Sequence, residues 1–142
     1  MPGLPVFGVR LVLPEPASAI GWTGLSGETY PDRKKGGVFG RHTEIPHIPD
    51  YLVPQDCGVH MDTHQFTLER RGAGQPDAAR LEVFMEGEPF AFSALPYTAQ
   101  ELQNADHREQ LPNTGRTVVT VMGAVRGVGG IDSWGADVEP AY

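Results

Sequence analysis

Glycine and proline interrupt this chain along its whole length, 18 and 13 times in 142 residues. Inside a helix a glycine costs about 1 kcal/mol and a proline about 3 kcal/mol relative to alanine. Such punctuation excludes a bundle of long helices and points to many turns joined by short strands. Several segments between the breaks alternate, as strands with one buried face do. VFGVRLVL (Val6–Leu13) is rich in branched residues and reads as a strand. GVHMDTHQFTLER (Gly58–Arg70) reads as one long strand. RLEVFME and PFAFSA, within Arg80–Ala94, read as a hairpin turning through Gly87. RTVVTVMGAV (Arg116–Val125) puts Val119, Val121 and Val125 on one face and Thr120 and Met122 on the other.

The intervening segments read as breaks. PEPAS ends the first strand, and the glycine-rich, locally basic stretch Ile20–Gly40 reads as a loop with a short helical turn. Pro46, Pro49 and Pro54 each remove a backbone donor, so their stretch is extended or lies at a sheet edge. Arg71–Ala79 is a polar loop, and Leu111–Gly115 a turn. TAQELQNA (Thr98–Ala105) is the one convincing helix, with Thr98 and Glu101 spaced as a capping box. No internal repeat or low-complexity tract appears. The expectation is one all-β domain over residues 1–142, two packed sheets with one short helix.

The formal charge of −7 and pI near 5.1 argue against nucleic acid or an anionic membrane as partner. No apolar run approaches a membrane span, and the first residues lack the basic-then-apolar pattern of a signal peptide. Cys57 is alone, which excludes an internal disulfide and suggests a reducing, cytoplasmic setting. Its neighbourhood, PQDCGVH, reads as a turn rather than a nucleophile's setting.

The side chains that could carry chemistry are few. His60 and His64 would share a strand face but stand roughly 13 Å apart, too far to ligate one ion. His42 and His47 lie in the proline-rich loop, and no zinc pattern supports a metal site. Glu86 and Glu88 could form a carboxylate pair for retaining glycoside hydrolysis, but Gly87 and Pro89 mark them as solvated turn acids. Ser133 lacks a nucleophile elbow, so Asp132 and Ser133 read as turn formers. GLSGET (Gly24–Thr29) lacks the lysine–serine ending of a phosphate loop. Of the two tryptophans, Trp22 is either core or edge. Trp134 sits in GVGGIDSWGADVEP (Gly127–Pro140). An indole held in a glycine-rich loop is either a stacking platform for a sugar's C–H face or a plug at an interface.

Three segments carry a resemblance. WTGLSGETYPDRKKGGVFGRH (Trp22–His42) resembles the W-x-G-x-G-P-x-E-N-Y-P-D-R signature of the family-two glycoside hydrolase β-galactosidases. PFAFSALPYTAQELQNADHREQL (Pro89–Leu111) resembles P-F-x-F-S-x-x-x-Y-T-x-x-x-L-x-x-A-x-H, and GVGGIDSWG (Gly127–Gly135) resembles G-x-G-G-x-D-S-W-G. Order and spacing agree across nearly the whole chain. The chain departs from the pattern at Ser26–Gly27, where Gly-Pro is usual, at Thr29 for Asn, and at Ile131 for an acid.

The resemblance implies the C-terminal, or small-chain, domain of such an enzyme, with a β-supersandwich of the galactose-mutarotase-like type truncated at both ends. It implies that the two catalytic glutamates belong to a barrel domain elsewhere, so no catalytic residue and no metal ligand is carried onto this chain. Magnesium and sodium used by such enzymes are bound mainly by other domains. The expected partners are the remaining domains or large subunit and a galactoside such as lactose. Trp134 is the substrate-stacking residue so implied. Gly127, Gly129 and Gly130 are expected to take backbone angles closed to other residues, and Asp132 and Ser133 to brace the loop. Glu28, Tyr30, Asp32 and Arg33 form a structural cluster, interface or site rim. Two other readings stay open: a free-standing carbohydrate-binding module of mutarotase-like fold, and a mutarotase using His60 or His64.

Overall fold

The computed structural model describes residues 6–48, 51–70 and 79–127. Among these residues, eight strands form two antiparallel four-stranded sheets. The strands are β1 (Val6–Leu13), β2 (Ala19–Leu25), β3 (Phe39–Glu44), β4 (Val59–Thr63), β5 (Gln65–Arg70), β6 (Ala79–Phe84), β7 (Phe90–Leu95) and β8 (Thr117–Val125). One sheet runs β1-β8-β7-β4 and the other β3-β2-β5-β6. The chain is therefore an all-β sandwich, with one short helix, α1 (Ala99–Asn104), and a 3₁₀ turn at Arg108–Gln110.

The inner faces meet as alternation requires. Ile20 and Trp22 of β2 and Phe66 and Leu68 of β5 pack against Phe92 and Ala94 of β7 and Val119 of β8. A second cluster, Tyr30, Val59, Ala91, Met122 and Val125, lies on the outer side of the β1-β8-β7-β4 sheet. Beside it a third joins Cys57, Leu95 and Leu102 of α1. The α1 cap is the capping box expected: Thr98 accepts from the Glu101 amide, and the Glu101 carboxylate accepts from the Thr98 amide.

Four expectations need correction. Ile20–Gly40 does not open as a loop: β2 runs to Leu25 between β3 and β5. Its burial alternates strictly, but two of its seven residues are glycines, which disguises the pattern. Gly24 is needed there, because a Cβ would lie 3.0 Å from the Asp62 carbonyl oxygen and the Thr63 Cα. Gly58–Arg70 is not one strand. It breaks into β4 and β5, which belong to different sheets and are separated by His64 alone. Asp62 makes the corner at φ +53°, a conformation aspartate tolerates better than most residues, and Lys34 Nζ pairs with its carboxylate at 3.0 Å.

Arg80–Ala94 is likewise no hairpin. β6 is an exposed edge strand of one sheet, while β7 is almost wholly buried in the other, so Gly87 lies in a crossover. Alternation located both strands but not their partners. Finally, Val125 does not share a face with Val119 and Val121. The β1–β8 register steps from Phe7↔Ala124 to Gly8↔Met122, leaving Gly123 as an extra residue. Such a bulge reverses the parity beyond it and sends Val125 to the cluster of Met122.

Candidate functional site

The segment from Ser26 to Arg33 leaves β2 and is stitched to β4. Thr29 N–H donates to the Val59 carbonyl at 2.7 Å, and its hydroxyl accepts from Met61 N–H at 2.8 Å. Glu28 is the hub. One carboxylate oxygen accepts from the Tyr51 hydroxyl and the other from the Gly58 amide, both at 2.6 Å. Tyr30 turns inward and is fully buried, its hydroxyl without a hydrogen-bond partner among the described residues.

This packing concentrates acidic and phenolic groups in a poorly hydrated place, and their ionisation follows. Burial, then the nearby Asp56 and Glu28, drives the Tyr30 phenol far above its usual value. The hydrogen bond to Glu28, ahead of burial, pushes Tyr51 up to about 12. Burial also raises the Asp56 carboxyl, and burial with Glu28 and Asp56 pushes the Cys57 thiol up to about 12. A buried thiol so protonated is inert as a nucleophile at neutral pH.

Asp32 lies beyond Tyr30 and meets the far end of β8. A Cβ built at Gly127 would stand 2.5 Å from Asp32 Oδ2 and 2.6 Å from its Cγ. The aspartate of YPDR and the first glycine of GVGG, almost a hundred positions apart in sequence, are thus in direct apposition. Gly127 is required by this approach and not by its backbone angles, since its φ is outside the left-handed region. Asp32 and Arg33 are both engaged, Arg33 through its amide to the Tyr30 carbonyl among other contacts. Gly129, Gly130, Asp132, Ser133 and Trp134 lie outside the described residues.

Trp22 is core, 4% exposed, with its indole N–H on the Leu25 carbonyl at 2.8 Å. His60 is buried between Trp22 and Phe92, with ring centroids 4.3 and 4.9 Å away. Its Nδ1 is 2.8 Å from the Gly27 carbonyl, which can only accept, so Nδ1 donates there. Nε2 faces Glu44 at 3.4 Å, and that hydrogen bond, opposed by burial, holds the Glu44 carboxyl below its ordinary value. So enclosed, His60 cannot reach a sugar's anomeric oxygen. His64 stands in the corner outside both strands, edge-on to Phe39. Glu86 and Glu88 are exposed in the crossover between β6 and β7. No three His, Cys, Asp or Glu side chains cluster closely enough to hold a metal among the described residues.

A groove of about 780 Å³ runs along the outer face of the β1-β8-β7-β4 sheet, walled by α1 and residues 54–57. Sequence reasoning overlooked Tyr51, Asp56 and Gly58 as partners of the Glu28 cluster. No periodicity marks them, because they belong to a loop placed by β4.

Fold and site together define an all-β sandwich in which the segment from Ser26 to Arg33 is stitched to β4 and approached by Gly127. A family profile described as "Beta galactosidase small chain" matches residues 2–142, and the chain belongs to that family. It is 55% identical to the β-galactosidase small subunit of Latilactobacillus sakei over its full length, covering 46% of that protein. It is 36% identical to a β-galactosidase of Halalkalibacterium halodurans and 30% identical to one of Streptococcus thermophilus, in each case over all of this chain and 14% of the relative. The chain thus spans less than half the length of these relatives.

Proposed function

We propose that the chain is the part of a retaining β-galactosidase that completes the sugar pocket without supplying the acid–base chemistry. Trp134 stacks on the galactoside, and the two carboxylates of the double displacement come from the remaining domains or a large subunit. The observation that carries this reading is the apposition of Asp32 and Gly127. It holds Gly127, seven positions before Trp134 in sequence, against the segment that carries Glu28 and the buried Tyr30, and a stacking residue contributes to binding only when its position is fixed. The finer fold, a mutarotase-like supersandwich, belongs to the same proposal.

The surface of β1 supports a larger assembly. Phe7, Val9 and Leu11 are exposed at 69, 64 and 38% on one face of an edge strand, and Val12 adds to them on the other. Soluble proteins avoid long apolar edges that nothing covers, and the remaining polypeptide of the enzyme is the natural cover.

Two measurements test the proposal. The purified chain is expected to show no turnover of nitrophenyl β-galactoside, and clear hydrolysis would refute it. In the assembled enzyme Trp134→Ala should raise KM more than it lowers kcat, since the contact is made mainly with bound substrate. Loss of about 1–3 kcal/mol is expected for one large stacked side chain. A fall in kcat at constant KM would argue for a different role.

A further inference from the structure

The outward-facing residues of the β3-β2-β5-β6 sheet stand open: Phe39, Arg41 and Thr43 on β3 and Arg80, Glu82 and Phe84 on β6 are all exposed. At the centre of this face is a cavity of about 310 Å³. Gly21 of β2 forms its floor, flanked in register by Thr43 of β3 and Thr67 of β5. A Cβ at position 21 would approach the Thr67 hydroxyl to 3.0 Å, so the missing side chain is what opens the hollow. Arg41 and Arg80 reach in from the two edge strands, with Thr23 and Gln65 between them.

The chemistry of this rim is specific in kind. Guanidinium groups supply donors, while threonine hydroxyls and a glutamine amide supply both donors and acceptors. Charge is partly balanced on one side, where Glu82 accepts from Gln65 and lies 3.9 Å from Arg80. Glu82 offsets one of the two guanidinium groups, and the rim as a whole mixes donors with groups that also accept. Such a rim suits a neutral molecule dense in hydroxyls, whose groups both donate and accept. Phe39 and Phe84, exposed on the same face but outside the cavity's lining, add apolar surface to that face. The volume is that of a small-ligand pocket. We propose that this hollow binds a neutral saccharide, one pyranose ring seated over Gly21 with its hydroxyls on Arg41, Arg80 and the threonines. The site depends neither on Trp134 nor on the galactosidase reading.

The test is a titration of the ¹⁵N-labelled full chain with methyl β-D-galactopyranoside and, separately, methyl α-D-glucopyranoside, followed by amide shifts. Saturable shifts at Gly21, Thr23, Thr43, Thr67 and the Gln65 side chain are expected with at least one of them, at millimolar affinity, and should persist in Trp134→Ala. Gly21→Val fills the hollow and should abolish binding. Arg41→Ala alters an exposed side chain, should leave the thermal midpoint unchanged, and should weaken binding about tenfold. Should Gly21→Val fail to fold, Arg41→Ala decides the matter. No shifts on this face with either sugar at about 100 mM, shifts lost in Trp134→Ala, or unchanged affinity in Arg41→Ala would each overturn the proposal. None of those outcomes bears on turnover or KM, which test the galactosidase assignment separately.

Discussion

Gly127→Ala probes the close approach of Asp32 to Gly127. The added Cβ would lie 2.5 Å from Asp32 Oδ2, about 0.9 Å short of the 3.4 Å at which ordinary contact begins. The obstruction is a carboxylate on a short side chain that is already engaged, so relief requires breaking its existing contacts or shifting the end of β8. Overpacking of this kind costs about 1–3 kcal/mol, and about 2 kcal/mol is expected here. Urea unfolding of wild type, Gly127→Ala, Asp32→Ala and the double variant closes a thermodynamic cycle. With the Asp32 carboxyl removed, the alanine has room, and its cost should fall below about 0.5 kcal/mol. The coupling energy is then at least about 1 kcal/mol. Equal costs of Gly127→Ala in both backgrounds would show that Asp32 and Gly127 are placed independently, and the observation offered in support of the proposed role of Trp134 would be lost.

Two further outcomes follow from the buried groups. Cys57, with its thiol pushed up to about 12, should resist iodoacetamide at pH 8 in the native chain and react at the rate of unfolding; rapid stoichiometric labelling would contradict the burial. The Glu101 carboxyl is held below its ordinary value first by the Thr98 amide and then by Arg116. Its contribution is therefore present above the unfolded carboxyl's pKa near 4.5 and lost as pH falls through the lower folded value. Thr98→Ala should cost about 1 kcal/mol at neutral pH, a loss read from urea midpoints.

The strands most readable from sequence were those rich in branched apolar residues and bounded by turns, and Val6–Leu13 and Thr117–Val125 fall almost where the pattern places them. The helix was readable for a different reason: its cap is local, made by Thr98 and Glu101 three residues apart. What stayed hidden was non-local. Gly21 and Gly24 have no hydropathy to alternate, yet both serve close approaches from Thr67 and from the Asp62–Thr63 corner, segments some forty residues downstream. The change of sheet at His64 leaves no mark in a periodicity of two, because both sides of the corner alternate. The YPDR and GVGGIDSWG segments were recognisable as motifs, but the approach of Asp32 to Gly127 depends on the path of the chain after the Gly123 bulge, which no motif encodes.

The corner between β4 and β5 has a consequence for how such chains can change. One residue, His64, carries the backbone from one layer to the other, while its amide is held by the Thr23 carbonyl at 2.8 Å and its carbonyl by the Met85 amide at 3.0 Å. There is no slack in which to absorb a length change. A single inserted or deleted residue would exchange the inner and outer sides of one strand relative to the other, burying Gln65 and Thr67 and expelling Phe66 and Leu68. Substitutions can accumulate along this corner, but its length is fixed. Length variation among functional descendants of this sequence has to be accommodated elsewhere in the chain.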